Sequence, residues 1–192
     1  MQETYWRTIT QLRDRLEDER EAPVENERLL WTLKFSRDVG RLAESAHGAA
    51  TGDERHSWEA VREGLCELIV ASMVTMAMVT PNAPRLLSVR LFATDNWAAV
   101  RRLRLWLDSQ CAVTDEAMRL LRVLKVVTEV GELADAVHGA FAGDTGHNWT
   151  DAHDEFCDLI VKSMLALDTL TPDPRAVFEA RLQQIADESE KS

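Results

Sequence analysis

Positive charge is in short supply in this chain. Its 192 residues hold 22 Lys and Arg against 33 Asp and Glu, and the net charge of −11 is spread fairly evenly. A surface that tracks a nucleic-acid backbone needs the opposite balance, so a nucleic-acid polymer is excluded as a partner. Cysteine is scarce: Cys66, Cys111 and Cys157 show no metal-ligand spacing and read as small buried hydrophobes. Long apolar runs are missing as well. The longest, Leu68 to Thr80, falls short of the roughly 20 residues that span a bilayer, and the start Met-Gln-Glu-Thr-Tyr-Trp-Arg has no secretory apolar stretch. No segment alternates like a strand. The expectation is a soluble, cytoplasmic, all-α protein.

What the chain does contain is a second copy of itself. Sliding it by 91 residues lays Lys34–Ala49 over Lys125–Ala140, with Gly40, Leu42, Ala43, His47 and Gly48 falling on Gly131, Leu133, Ala134, His138 and Gly139. The offset persists downstream. It pairs Gly52-Asp53 with Gly143-Asp144, His56 and Trp58 with His147 and Trp149, Cys66 with Cys157, Thr80-Pro81 with Thr171-Pro172, and Trp6 with Trp97. A period this long is a duplicated small domain rather than a solenoid unit. The expected organisation is therefore two four-helix repeats, 1–91 and 92–182, packed as one pseudo-symmetric bundle, with a polar tail at 183–192 that frays from Asp187 on.

Hydrophobic periodicity places helices near 3–19, 25–47, 57–79 and 83–91, and again near 96–110, 115–138, 149–170 and 174–188. Thr94-Asp95 and Thr114-Asp115-Glu116 read as helix starts, His47-Gly48 and His138-Gly139 as stops, and Pro81 and Pro172 end the third helix of each copy. Leu29, Leu30, Leu33, Val39, Leu42 and Ala46 keep helical spacing, as do Leu120, Leu121, Leu124, Val127, Leu133 and Val137, and both sets are expected to face the core.

The copies differ at four positions. Glu129 and Glu132 form an E-x-x-E in the second copy, followed by Glu155 and Asp158 as an E-x-x-D; the first copy has Asp38, Arg41, Gly64 and Glu67 there. Acids three apart share a helix face, so two such prongs on antiparallel helices would converge. Four like charges raise one another's pKa, and convergence implies a bound cation, for which oxygen-seeking Mg²⁺ is the natural choice.

Lys125 to Ala136 followed by Glu155 to Ile160 resembles the MazG-like nucleotide pyrophosphohydrolases of the all-α NTP pyrophosphatase superfamily. The resemblance covers the second copy closely and reaches the first through the repeat; tandem relatives with one live half occur in the superfamily, among them the dimeric dUTPases. It implies a four-carboxylate Mg²⁺ site in a helical bundle, with Mn²⁺ able to stand in, and hydrolysis of a nucleoside triphosphate to monophosphate and pyrophosphate, an activity suited to clearing non-canonical nucleotides. Glu129, Glu132, Glu155 and Asp158 would be both the metal ligands and the catalytic set. Thr128 departs from the family, which often has another glutamate there.

Substrate contacts follow from the same reading. Lys162, one turn after Asp158 and replaced by Ala71 in the first copy, is either a phosphate contact or an i,i+4 partner of Asp158. Lys125 is a weaker contact because Lys34 matches it. Trp31, matched by Arg122, would stack on a base as the first half walls the pocket, whereas Trp58 and Trp149, shared by both copies, read as scaffold. Arg41 at a ligand position should keep the first half free of catalytic metal, leaving one functional nucleotide site per chain. The oligomer is a monomer with an internal pseudo-dimer, or a homodimer. Two other readings stay open: a di-iron carboxylate bundle using Glu44-x-x-His47 and Asp135-x-x-His138 with Asp38, Glu67, Glu129 and Asp158, and a non-catalytic helical interaction module.

Overall fold

The computed structural model describes residues 4–18, 24–143 and 148–191, with 24–28 as backbone only. His147 and Asp144 of the repeat lie outside the described residues. Every regular element among the described residues is a helix: α1 (Tyr5–Asp18), α2 (Val24–Thr51), α3 (Trp58–Val79), α4 (Ala83–Arg90), α5 (Asn96–Ser109), α6 (Asp115–Ala142), α7 (Trp149–Leu170) and α8 (Pro174–Ser189). No single helix is long and apolar enough to cross a membrane. A shift of 91 residues carries both ends of α1, α2 and α3 onto those of α5, α6 and α7, and the start of α4 onto that of α8.

Local chemistry explains the starts. The Asp95 carboxylate accepts from the Ala98 N–H and the Thr114 hydroxyl from the Ala117 N–H, satisfying first-turn donors that have no partner in the helix. Asn148 caps α7 in a reciprocal box with Asp151. Pro174 opens α8 where its missing N–H costs nothing. The stops come one turn later than the His-Gly pairs predict. α2 and α6 run on to Thr51 and Ala142, and the left-handed residues that follow are Gly52 (φ 77°) and Gly143 (φ 72°). Gly48 sits inside α2, where a Cβ would fall 2.3 Å from the His56 ring, so it is there to let the loop close on the helix.

α3 and α7 form the centre and pack on each other, with α2 against α3, α6 against α7, and α2 against α6. α1 covers α3 and α5 covers α7. The short helices reach across: α8 packs on α3 and α1, and α4 touches α7. One hydrophobic core runs through both halves, including Phe35, Ile69, Met73, Leu133, Ile160 and Met164. Where the halves meet, the Asn96 amide donates to the Tyr5 hydroxyl at 2.9 Å, a bond between two residues that are themselves repeat equivalents.

Several expectations are corrected. Leu30, Leu33, Leu120, Leu121 and Leu124 are exposed, while the buried stripes run through Phe35, Val39, Leu42 and Ala46 and through Val123, Val126, Val130, Leu133 and Val137. Leu33 lies two residues from Phe35, and Leu121 and Leu124 two from Val123 and Val126. At about 100° per residue that turns them to the far side. Cys66 and Cys157 are buried, and desolvation pushes both thiols up to about 12, but Cys111 is exposed after α5. Trp58 and Trp149 open α3 and α7, and both pack on the core. The tail is not frayed before Ser189: Arg15 donates to the Ala186 carbonyl and, at 2.8 Å, to the Ser189 hydroxyl. Phe92, between α4 and α5, is 94% exposed and holds a left-handed φ of 50°.

Candidate metal centre

α6 carries Glu129 and Glu132, and α7 carries Glu155 and Asp158. The two helices pack side by side because Val130 and Leu133 of α6, and Phe156, Leu159 and Ile160 of α7, are buried in one core. That packing brings one oxygen each of Glu129, Glu155 and Asp158 within 4.8 Å of one another. Glu132 is exposed and stands outside this cluster. A step of three residues rotates a side chain about 60° around the helix, enough to take Glu132 from the packed seam to the solvent edge.

Each acid has a different environment. Glu129 is buried to 2% exposure, and its carboxylate accepts from the Lys125 ammonium at 2.9 Å. That contact raises the Lys125 pKa. Asp158 is held by Arg90 in a two-pronged pair, Nε to Oδ1 at 2.6 Å and the second nitrogen to Oδ2. With Asp158 so engaged, Lys162 forms no ion pair with it and stands half-buried one turn further on. Glu155 has no such partner. Its Oε2 is buried and accepts no hydrogen bond, and burial, then the charges of Asp158, Glu132 and Glu129, hold its pKa above the ordinary carboxylate range.

No known family, characterised protein or solved structure matches the chain. The site therefore stands on its own residues. Three carboxylates brought this close, one of them with a buried and unsatisfied oxygen, are costly as they stand and fit a hard divalent cation, which takes oxygen ligands and keeps waters in its remaining positions. Among the described residues no histidine joins such a cluster; His47 and His138 are both exposed, as are Glu44 and Asp135. The di-iron arrangement has no geometric basis here.

Two further placements matter. Trp31 is not near the acids: it lines a separate cavity between α1, α2, α3 and α8, whose walls include none of the four carboxylates. The sequence reading also passed over Arg90. The signal was available, since Arg90 and Arg181 are repeat equivalents, and Arg181 pairs with Glu67, the equivalent of Asp158. Each arginine belongs to one half and clasps an acid of the other.

Proposed function

We propose that the chain is a Mg²⁺-dependent nucleoside triphosphate pyrophosphohydrolase whose site lies in its second half. The observation that carries the reading is the convergence of one oxygen each of Glu129, Glu155 and Asp158 within 4.8 Å, together with a Glu155 Oε2 that is buried and accepts no hydrogen bond. The E-x-x-E and E-x-x-D spacing, with its likeness to MazG-like enzymes, supplies the substrate class.

Glu129, Glu155 and Asp158 would hold the ion, with Glu132 reaching in from the solvent edge directly or through water. Bound there, Mg²⁺ would neutralise phosphate oxygens and acidify a coordinated water. The remaining work falls to the chain. Arg90 is two-pronged and always charged, so on leaving Asp158 it can meet phosphate oxygens in the same geometry. Lys162, free of Asp158, and Lys125 at the exposed end of its pair extend the cationic rim on which the triphosphate would lie.

The test is a panel of canonical, deoxy and oxidised nucleoside triphosphates with Mg²⁺, scored for pyrophosphate against orthophosphate. Pyrophosphate release from at least one member is expected, abolished by Glu129→Gln with helical content unchanged. Orthophosphate as first product, or no turnover of any member, overturns the reading.

A further inference from the structure

The degenerate half has its own cavity. It encloses about 420 Å³, and Arg15, Lys34, Arg37, Arg41, Arg181 and Trp31 stand on its wall. Against five cations there are three acids, Asp38, Glu67 and Glu188, and Arg15 is also paired with Glu190 beside the wall, which leaves Lys34 and Arg41 as the cations without an ion pair among the described residues. The lining is thus net positive in a protein whose total charge is −11. A cationic pocket on an acidic protein attracts anions locally and is not a by-product of composition.

Comparison with the second half shows how the inversion arises. There, Lys125 is bound to Glu129 at 2.9 Å, and the neighbouring position is Thr128, whose hydroxyl turns back to the Leu124 carbonyl. In the first half Thr128 becomes Arg37, which takes Asp38 in a two-pronged contact at 3.0 and 2.9 Å. Lys34 therefore loses the acid its equivalent keeps. Its ammonium lies 4.4 Å from the centre of the Trp31 ring, and burial lowers its pKa, as expected of a cation short of acceptors. Arg41 replaces Glu132 and lines the same cavity. Arg181, although paired with Glu67, leaves its buried Nε without an acceptor.

We infer that this cavity binds a nucleotide without metal, the base against Trp31 and the phosphates on Lys34, Arg37 and Arg41. The chemistry is that of guanidinium and ammonium groups on phosphate oxygens, with a planar base on an indole face. The ligand is held and not hydrolysed, because Gly64 stands where the second half has Glu155. The inference does not require the second half to be a hydrolase. It revises the expectation of a single nucleotide site: the chain has two unlike sites, one dependent on metal and one independent of it.

ADP titrated calorimetrically into the full chain in EDTA tests this, with pyrophosphate and adenosine as separate arms. One ADP per chain is expected, bound more tightly than either fragment. Arg41→Glu restores the acid of the second half at an exposed position and should weaken ADP roughly tenfold or more with the circular dichroism unchanged. Trp31→Ala should weaken ADP while leaving pyrophosphate alone. Absence of ADP binding in EDTA overturns the inference, as does equal affinity in Arg41→Glu. Binding lost in Glu155→Gln but kept in Arg41→Glu does so too, as does adenosine or pyrophosphate binding as tightly as ADP.

Discussion

Glu155 is the residue on which the second-half site turns, because it sets a charge with one buried oxygen beside two other acids and has no cation of its own. Below about pH 4.5, its ordinary value, folded and unfolded chains both carry the proton and the site costs little. As the pH rises through the raised folded-state value, the charged form has to be accommodated beside Asp158 and Glu129, and stability falls. At neutral pH in EDTA, Glu155→Gln should therefore melt higher than the native chain, the difference shrinking toward pH 4.5. Mg²⁺ bound as proposed should reverse the order. At a hundredfold excess over its dissociation constant, a site that binds only the folded state contributes about 2.7 kcal/mol, and the variant should gain almost none of it. Scanning calorimetry of both proteins at two pH values, with EDTA and with Mg²⁺, checks all three statements; a native chain that gains nothing from Mg²⁺ would refute the metal assignment.

At the scale of the helix, α7 matters most, since it carries Glu155 and Asp158 and fills the core along nearly its whole length. Its first turn is closed by the Asn148 box. Asn148→Ala should cost about 1 kcal/mol, which for a chain of this size lowers the melting temperature by about 2–4 °C. Mg²⁺ affinity should stay unchanged in the same titration, because both acids lie well inside the helix. Such helix boundaries were legible from the sequence: Asp95, Thr114 and the prolines act through neighbours one to four residues away. The facing of α2 and α6 was less so. Leu30 and Leu33 keep helical spacing as well as Phe35 and Val39 do, and only the neighbouring helix decides which stripe is buried. The site divides in the same way. The two prongs were readable from spacing, but the outward turn of Glu132 depends on how α6 lies against α7, and the Arg90 clasp joins residues from different halves. Trp31 was assigned to the wrong cavity for the same reason.

At the scale of the whole molecule, the halves are not independent. α3 and α7 bury their apolar faces on each other, and Arg90 and Arg181 cross between the halves to hold Asp158 and Glu67. A chain lacking residues 1–91 would expose the α7 face that α3 covers and would leave Asp158 without its arginine. Size-exclusion chromatography should find it self-associated or aggregated, with the proposed pyrophosphohydrolase activity lost or much reduced; a monodisperse, fully active second half would contradict the shared core. The segment joining the halves behaves differently. Phe92 projects into solvent from a left-handed backbone that a non-glycine residue adopts at a cost of about 1–2 kcal/mol, and no cross-half clasp depends on the peptide bond there. A protease with a taste for aromatic residues would find its target at that bend, and the nicked protein would persist as a non-covalent heterodimer of its own two halves.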